Sequence, residues 1–433
     1  MRIAFVTAYP PSPLRIRAYS FVRELACHHD VTVVTLCRSD EDADAASALC
    51  RDGLHVAAIR EPSWNAPARV TRAILAGASL QVAHGGAAAL RETVNELVAT
   101  ERVDLVHVEH LRAIGAVRDV RIPLVWDAVD CISHLYELGA RYGATPMMRV
   151  IGSMEARRAR TQEQRLLSRL PHIVVSSTRE RATLAGTDIH ACLGDGGVYG
   201  ATAGCHRRAT IHVVPNGVDL DYFVPQTIER SPNTIIFSGR MSFHANVAAA
   251  TLLVRQVMPL VWRLHPDVRV ILAGSDPPRS VRALATDSRV SVTGYVEDLR
   301  PYIASATVAV SPTPYAVGVQ NKVLEALAMG TPVVATPSSV AGLKGDAAYC
   351  LLVADEPSGI ASALITLLHD TCKRAQLAKT GRDYVIRHHN WQAASRMLLE
   401  VYGMSLTDTT RSSSMASRFS LAGISQREHR TGV

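Results

Sequence analysis

Short apolar runs rich in β-branched residues recur along the chain, with helical stretches between them. The first are Ile3–Thr7, Val31–Leu36, Leu54–Ile59, Leu105–Val108, Leu124–Trp126 and Ile173–Ser176. Helical periodicity fills several of the intervals, as over Arg17–Ala26 and Ala89–Thr100. The stretch Ala185–Thr210 is rich in Gly, Ala and Cys, has no clear period, and reads as an irregular loop. The pattern then restarts with Ile211–Val214, Thr234–Phe237, Val268–Ala273, Val290–Thr293, Thr307–Val310, Thr331–Ala335 and Tyr349–Val353. Buried strands alternating with helices predict parallel sheets covered on both faces, so the chain reads as α/β with two doubly wound halves. Pro, Gln, Ser and Asn cluster at Pro225–Asn233, which places the linker there. Residues 405–433, rich in Ser, Thr and Arg, read as a flexible tail.

Two such halves face each other across a cleft, and ligands of open α/β sheets bind beyond the carboxyl ends of the strands. Chemistry is therefore expected on the loops Pro10–Arg17, Glu109-His110, Asp127–Asp130, Gly239–Asn246, Gly274–Pro278, Gly294–Asp298 and Tyr315–Glu325.

Composition narrows the ligand. The 433 residues suffice for two ordinary domains. Hydrophobic content of 48% against 5% aromatic means cores built on Ala, Val and Leu. A net charge of +7 suits an acidic partner: a nucleotide phosphate, a lipid phosphate or an anionic membrane surface. No basic stretch alternates with aromatics, so nucleic acid is not expected. The eight cysteines include no C-x-x-C pair, which predicts reduced thiols in a cytoplasmic protein rather than zinc or disulfides. The sequence has no run of 18 apolar residues and its N-terminus leads straight into a strand, so neither a membrane span nor a signal peptide is expected.

The richest stretch is Gly318–Thr336. A glycine opens it, and a helix follows with Val323, Leu324, Leu327 and Ala328 on one face. Gly330 and Pro332 stop that helix, and Val333-Val334 begins a buried strand. A helix N-terminus after glycine offers free amides and a positive dipole end to a phosphate. Lys322 and Glu325, three apart on the first turn, suit a nucleotide: the cation for a diphosphate, the carboxylate for paired ribose hydroxyls. The competing reading is a solvated ion pair on a packing helix. Elsewhere, Phe237-Ser238-Gly239-Arg240-Met241 ends a strand in a glycine that permits close approach and an arginine that suits a diphosphate. Pro215-Asn216-Gly217 reads as turn punctuation.

The order of these motifs resembles the GT-B glycosyltransferases of family four, retaining enzymes that use nucleotide-sugar donors. It runs Pro-Asn-Gly-Val-Asp (215–219), Ser-Gly-Arg (238–240), Leu-Ala-Gly-Ser (272–275), Thr-Gly-Tyr-Val-Glu-Asp (293–298) and Lys-Val-Leu-Glu-Ala-Leu-Ala-Met-Gly-Thr-Pro-Val-Val (322–334). The resemblance covers Met1 to about Tyr402 and is strongest over Ile211–Val353. It is most like the subset acting in bacterial exopolysaccharide assembly, through the Phe-x-Gly-x-Met start at Phe237 and the Asn-Lys-Val-Leu-Glu core at 321–325. It implies an acceptor-binding Rossmann-like domain over 1–225, a donor-binding one over 226–385, and a helix over 386–404 that crosses back to the first domain. It makes Glu325 the ribose ligand, Arg240 the diphosphate ligand and Val296, after Gly294, the residue whose backbone holds the base. Gly239 and the loop Gly318, Val319, Gln320 and Asn321 complete the donor site. The implied reaction moves a sugar from a UDP- or GDP-sugar to a hydroxyl of a sugar or lipid-linked acceptor, without cofactor or metal. The leaving phosphate itself takes the acceptor proton, so positioning and electrostatics carry the rate.

This chain departs from the pattern in three places. The first of two glutamates eight apart would fall at Val317. The lysine expected shortly after Gly-Arg is replaced at Ala245 and Asn246, and Lys322 is the candidate to supply that charge from the opposite wall. The first-domain histidine would fall near Val129, which Asp127 and Asp130 flank. Asp127, Asp130, Glu109 and His110 are thus the candidates for gripping sugar hydroxyls or moving a proton. Arg15 and Arg17, in a Pro-rich loop where a Gly-rich one is usual, are candidates for acceptor or donor phosphate. Six arginines between Arg149 and Arg169, beside Met147, Met148, Ile151, Leu166 and Leu167, suggest a helix resting on an anionic membrane, with a solvated face as the plain alternative. Two rival functions remain: a non-catalytic nucleotide-sugar binder, for which Val317 and Val129 speak, and a GT-B sugar-nucleotide epimerase, whose acid/base pattern is not found.

Overall fold

A computed structural model describes residues 1–61, 79–81, 88–142, 146–186 and 209–425, excepting the side chains of Met148 and of residues 409–425. The Ala185–Thr210 loop expectation falls almost wholly outside them. The first sheet comprises β1 (Arg2–Val6), β2 (Asp30–Cys37), β3 (His55–Arg60), β4 (Leu105–Glu109), β5 (Leu124–Val129), β6 (His172–Val175) and β7 (Thr210–Val213). Their spatial order is β3-β2-β1-β4-β5-β6-β7. The second comprises β8 (Thr234–Ser238), β9 (Arg269–Ala273), β10 (Val290–Gly294), β11 (Val308–Ser311), β12 (Val333–Ala335) and β13 (Leu352–Val353), in the order β10-β9-β8-β11-β12-β13. Every pairing is parallel.

The alternation of side chains along each strand explains the two-sided burial. In β1, Ile3 and Phe5 face one apolar layer, while Ala4 and Val6 face the other. Strand order reverses between β1 and β4, and again between β8 and β11. Such switch points open a crevice at the carboxyl ends of the strands. The crevices fall beside Tyr9 and Glu109 in one half, and beside Gly239 and Tyr315 in the other.

The final helix, Trp391–Ser425, returns to the first domain. Trp391, Leu398, Val401 and Tyr402 pack with Phe5, Phe21 and Val22, and the Tyr402 hydroxyl meets His107 Nδ1 at 2.8 Å. That helix continues through residues expected to form a flexible tail, as far as Ser425. A Cβ on Gly217 would lie 2.7 Å from the Trp391 amide nitrogen, so the Asn-Gly turn is also the seat of this returning helix. His244–Trp262 is long and apolar enough to cross a membrane, but Ala249, Leu253, Val257 and Val261 on it are core.

Candidate functional site

The second-domain wall is built on two close-packed glycines. Gly239 and Gly274, at the ends of β8 and β9, have φ of 144° and 141°. A Cβ on Gly274 would overlap the Gly239 carbonyl, so neither loop tolerates a side chain there. Into the space beside Gly239 comes Lys322, from the first turn of the helix Asn321–Ala328. Its Nζ donates to Asn246 Oδ1 at 2.5 Å and lies 4.8 Å from the centre of the Phe237 ring. Asn246 Nδ2 in turn donates to the Arg240 carbonyl at 2.8 Å. The residue standing where a lysine was expected therefore anchors Lys322, which arrives from another helix of the same domain and not from the opposite wall.

Burial draws the Lys322 ammonium down to about 8, against the pull of Glu325. Burial raises the Glu325 carboxyl to about 7, and Lys322 opposes that rise. A diphosphate would relieve the first cost and ribose hydroxyls the second. Arg240 behaves differently. Its side chain is 72% exposed, held by Asp276 at 3.3 Å and Ser242 Oγ at 3.1 Å, and so stands at the rim.

The remaining donor-loop residues are ordered by neighbours. Gly294 (φ 70°) turns the chain after β10, and Val296 follows it half-buried. Val319 is buried. Gln320 Nε2 donates to the Val317 carbonyl at 3.2 Å. Asn321 Oδ1 accepts from Asn216 Nδ2 at 3.2 Å. The Gly318 amide, expected to meet donor sugar or phosphate, is already bonded to Glu180 Oε1 of the first domain at 3.0 Å.

The first-domain wall corrects the expectation for Arg17. It does not present a free guanidinium to a phosphate. Its Nε and Nη2 grip Asp127 at 2.8 and 3.2 Å, and Nη1 reaches the Val214 carbonyl and Asn216 Oδ1 at 3.0 and 2.7 Å. Both charges are buried. Asp127 is accordingly a structural counter-ion and also takes the Val129 amide at 3.0 Å, which holds that valine at φ 63°. Arg15 bonds Asp42 and the Pro10 carbonyl, and stacks over Tyr9.

Glu109 remains a candidate for proton work. Burial first, and Asp127 second, lift its carboxyl to about 8, so it is largely protonated at neutral pH. His110 is pushed down to about 3 by burial and the Arg112 charge, and adopts φ 67°. It is a neutral imidazole. Asp130, raised to about 7 chiefly by burial, touches both Ser176 and the Gly318 loop.

Two groups escaped sequence reasoning. Asn216, read as punctuation, joins Arg17, Asn321 and, through its carbonyl, His389 Nδ1 at 2.7 Å. A ring stack crosses the cleft from Tyr142 to Tyr315 with centroids 5.1 Å apart, and Tyr315 meets His244 Nδ1 at 2.8 Å. The arginine helix, Pro146–Arg169, also differs from expectation. Leu166 is buried and Leu167 packs on the core, so neither faces outward. Met147, Val150, Ile151 and Met154 are exposed instead, at the spacing of one helical face.

Comparison with known proteins fits this geometry. Residues 232–370 match the family model described as glycosyl transferases group 1. The D-inositol 3-phosphate glycosyltransferase of Xylanimonas cellulosilytica is 33% identical over 224 residues, which cover 44% of this chain and 51% of that protein. The chain thus spans about half the length of that curated relative. Sucrose-phosphate synthase from Thermosynechococcus elongatus superimposes with a TM-score of 0.66 at 16% identity, over 94% of this chain and 99% of that one. Anabaena HepE, solved in complex with UDP and glucose, gives 0.63 at 15% identity, over 93% and 99%. The chain as a whole has the GT-B fold of these glycosyltransferase structures, and its second domain carries the group 1 glycosyltransferase signature.

Proposed function

We propose that this protein is a retaining glycosyltransferase that moves a sugar from a UDP- or GDP-sugar to a hydroxyl acceptor, in bacterial polysaccharide or glycolipid assembly on the cytoplasmic side. The observation that carries the proposal is Lys322, brought against Gly239 at the switch point of the donor-side sheet with Glu325 one turn behind it. In the transfer, the bond from the sugar's anomeric carbon to the diphosphate oxygen breaks. A bond to the acceptor oxygen forms on the same face, and the acceptor proton passes to the departing phosphate. Lys322 and the N-terminal amides of Asn321–Ala328 stabilise the charge that develops there. Arg240 adds charge from the rim.

The test is a thermal-shift screen of UDP, GDP, ADP and TDP. The preferred diphosphate, at about 100 times its dissociation constant, should stabilise the fold by roughly 2.7 kcal/mol. No shift with any of the four would overturn the reading. Hydrolysis of the donor sugar, without acceptor, should then persist in EDTA, because Lys322 and Arg240 supply the positive charge. Complete loss restored by magnesium would assign that duty to a metal.

The acceptor is proposed to be lipid-linked. The exposed Met147, Val150, Ile151 and Met154 continue along their helix into exposed Arg157, Arg165 and Arg169, so an apolar tip is backed by positive charge. Each arginine near an anionic surface contributes about 1 kcal/mol, screened beyond a Debye length. Binding to anionic liposomes should fall steeply with salt and be weak on neutral ones. Equal binding to both, or to neither, would favour a soluble acceptor.

A further inference from the structure

The helix Thr178–Ala185 opens with Ser177-Thr178-Arg179-Glu180. That spacing predicts a reciprocal cap, in which the glutamate reaches back to the first amide. Half of it is present: Ser177 Oγ accepts the Glu180 amide at 3.1 Å. The Glu180 carboxylate goes elsewhere. Its Oε2 takes the Cys131 amide at 2.5 Å, and its Oε1 takes the Gly318 amide at 3.0 Å. Glu180 is fully buried, and neither bond serves its own helix. Gly318 belongs to the other domain, in the loop that leads to Lys322.

Asp130 closes the second side of the same peptide. Gly318 has φ 62°, and a Cβ there would overlap the Asp130 carboxylate. Two first-domain carboxylates therefore meet one glycine of the donor loop. They are unequally supported. Glu180 has two amides, at 2.5 and 3.0 Å. Asp130 has the Ser176 hydroxyl at 3.3 Å, with Arg17 acting on it from farther off.

We propose that Glu180 is a positioning residue for sugar transfer: from the opposite domain it fixes the Gly318 peptide, and with it the start of the Asn321–Ala328 helix, while Asp130 closes the other side of that peptide. This rests on the cleft being a nucleotide-sugar site. Burial and then the Glu180 charge lift the Asp130 carboxyl to about 7. Arg17 and Ser176 pull the other way, and Asp127 adds a weaker upward push. The sign follows from linkage. A carboxyl whose value is raised in the folded chain stabilises that fold fully below its ordinary value, and the contribution is lost as pH rises through about 7. The pair that meets Gly318 therefore carries its second negative charge, which opposes a diphosphate nearby, only as pH rises through about 7.

Two measurements test this, using the full chain and UDP-glucose as the probe. Infrared difference titration of wild type against Asp130→Asn should isolate one carboxylic acid titrating near neutral pH. In Glu180→Gln the same group should titrate about one pH unit lower or more, because the like charge is gone. In donor hydrolysis, Glu180→Gln should raise KM about tenfold with a smaller change in kcat, since one charge-assisted hydrogen bond is lost. An unmoved titration with an unchanged KM would overturn the proposal. Should Glu180→Gln not fold, Asp130→Asn decides: the rise of KM between about pH 6 and about pH 7.5 should flatten, and an unaltered rise would overturn the proposal. If wild type takes no UDP-glucose, the donor preferred in the nucleotide screen replaces it, and if no nucleotide binds the donor reading fails, while the titration still judges the pair.

Discussion

Lys322→Ala should lower donor turnover by about two to three orders of magnitude, the usual cost of removing one preorganised donor from a developing oxyanion. The expectation follows from position. The ammonium lies in a half-buried recess between Gly239, Asn246 and the Phe237 ring, where water screens it less than at the surface. Initial rates on protein of unchanged circular dichroism would check it. Lys322→Arg should not rescue, because a planar fork does not fit the space beside Gly239 that a single Nζ fills. Arg240→Ala should cost less, since that side chain is exposed and shared with Asp276. If both cations serve the diphosphate, the double variant should lose less than the two single losses combined. A fully active Lys322→Ala would remove the central support for the proposed chemistry. The pH dependence has a definite sign. The free ammonium loses its proton above about 8, and a bound diphosphate favours the charged form. Diphosphate affinity should therefore be full below about pH 8 and fall, by up to about tenfold per unit, above it.

The sheets were legible because parallel strands buried on both faces leave continuous apolar runs. The run Val268–Ala273 became β9 at Arg269–Ala273, and Thr307–Val310 became β11 at Val308–Ser311. The run Ile211–Val214 signalled a restart, yet it closes the first sheet, because pairing with β6 is a tertiary choice that periodicity does not encode. The same limit governs the site. Lys322 and Glu325 could be read locally, since a glycine, a helix start and their spacing lie within a few residues. Arg17 and Asp127 could not: each looks like a loop charge, and only the fold brings them together across 110 positions. Glu180 carried a local signal that pointed the wrong way, toward its own helix. On the arginine helix, counting apolar residues overlooked the face on which they lie. Leu166 turns inward while Met154 turns outward.

The second large effect concerns stability and reaches the site through it. Arg17→Met should destabilise the first domain by about 3–5 kcal/mol, because it leaves the Asp127 carboxylate buried without its counter-ion. For a domain of this size that is a fall in melting temperature on the order of 10 °C. The loss should exceed what the pair itself contributes, since desolvation of the stranded charge dominates. Replacing both partners, Arg17→Met with Asp127→Leu, should therefore be milder than Arg17→Met alone. Thermal melts of the single and double variants would decide; a double variant as unstable as the sum of its parts would count against a stranded charge. Activity should not recover with stability. Arg17 also holds Asn216 Oδ1, and the other end of that amide holds Asn321 at the start of the donor helix. The double variant should fold yet retain a raised donor KM. If it bound donor as well as wild type, the chain of contacts from Arg17 through Asn216 to Asn321 would be packing alone. A raised KM in a stable protein would instead mean that the buried pair orients the donor helix from the first domain.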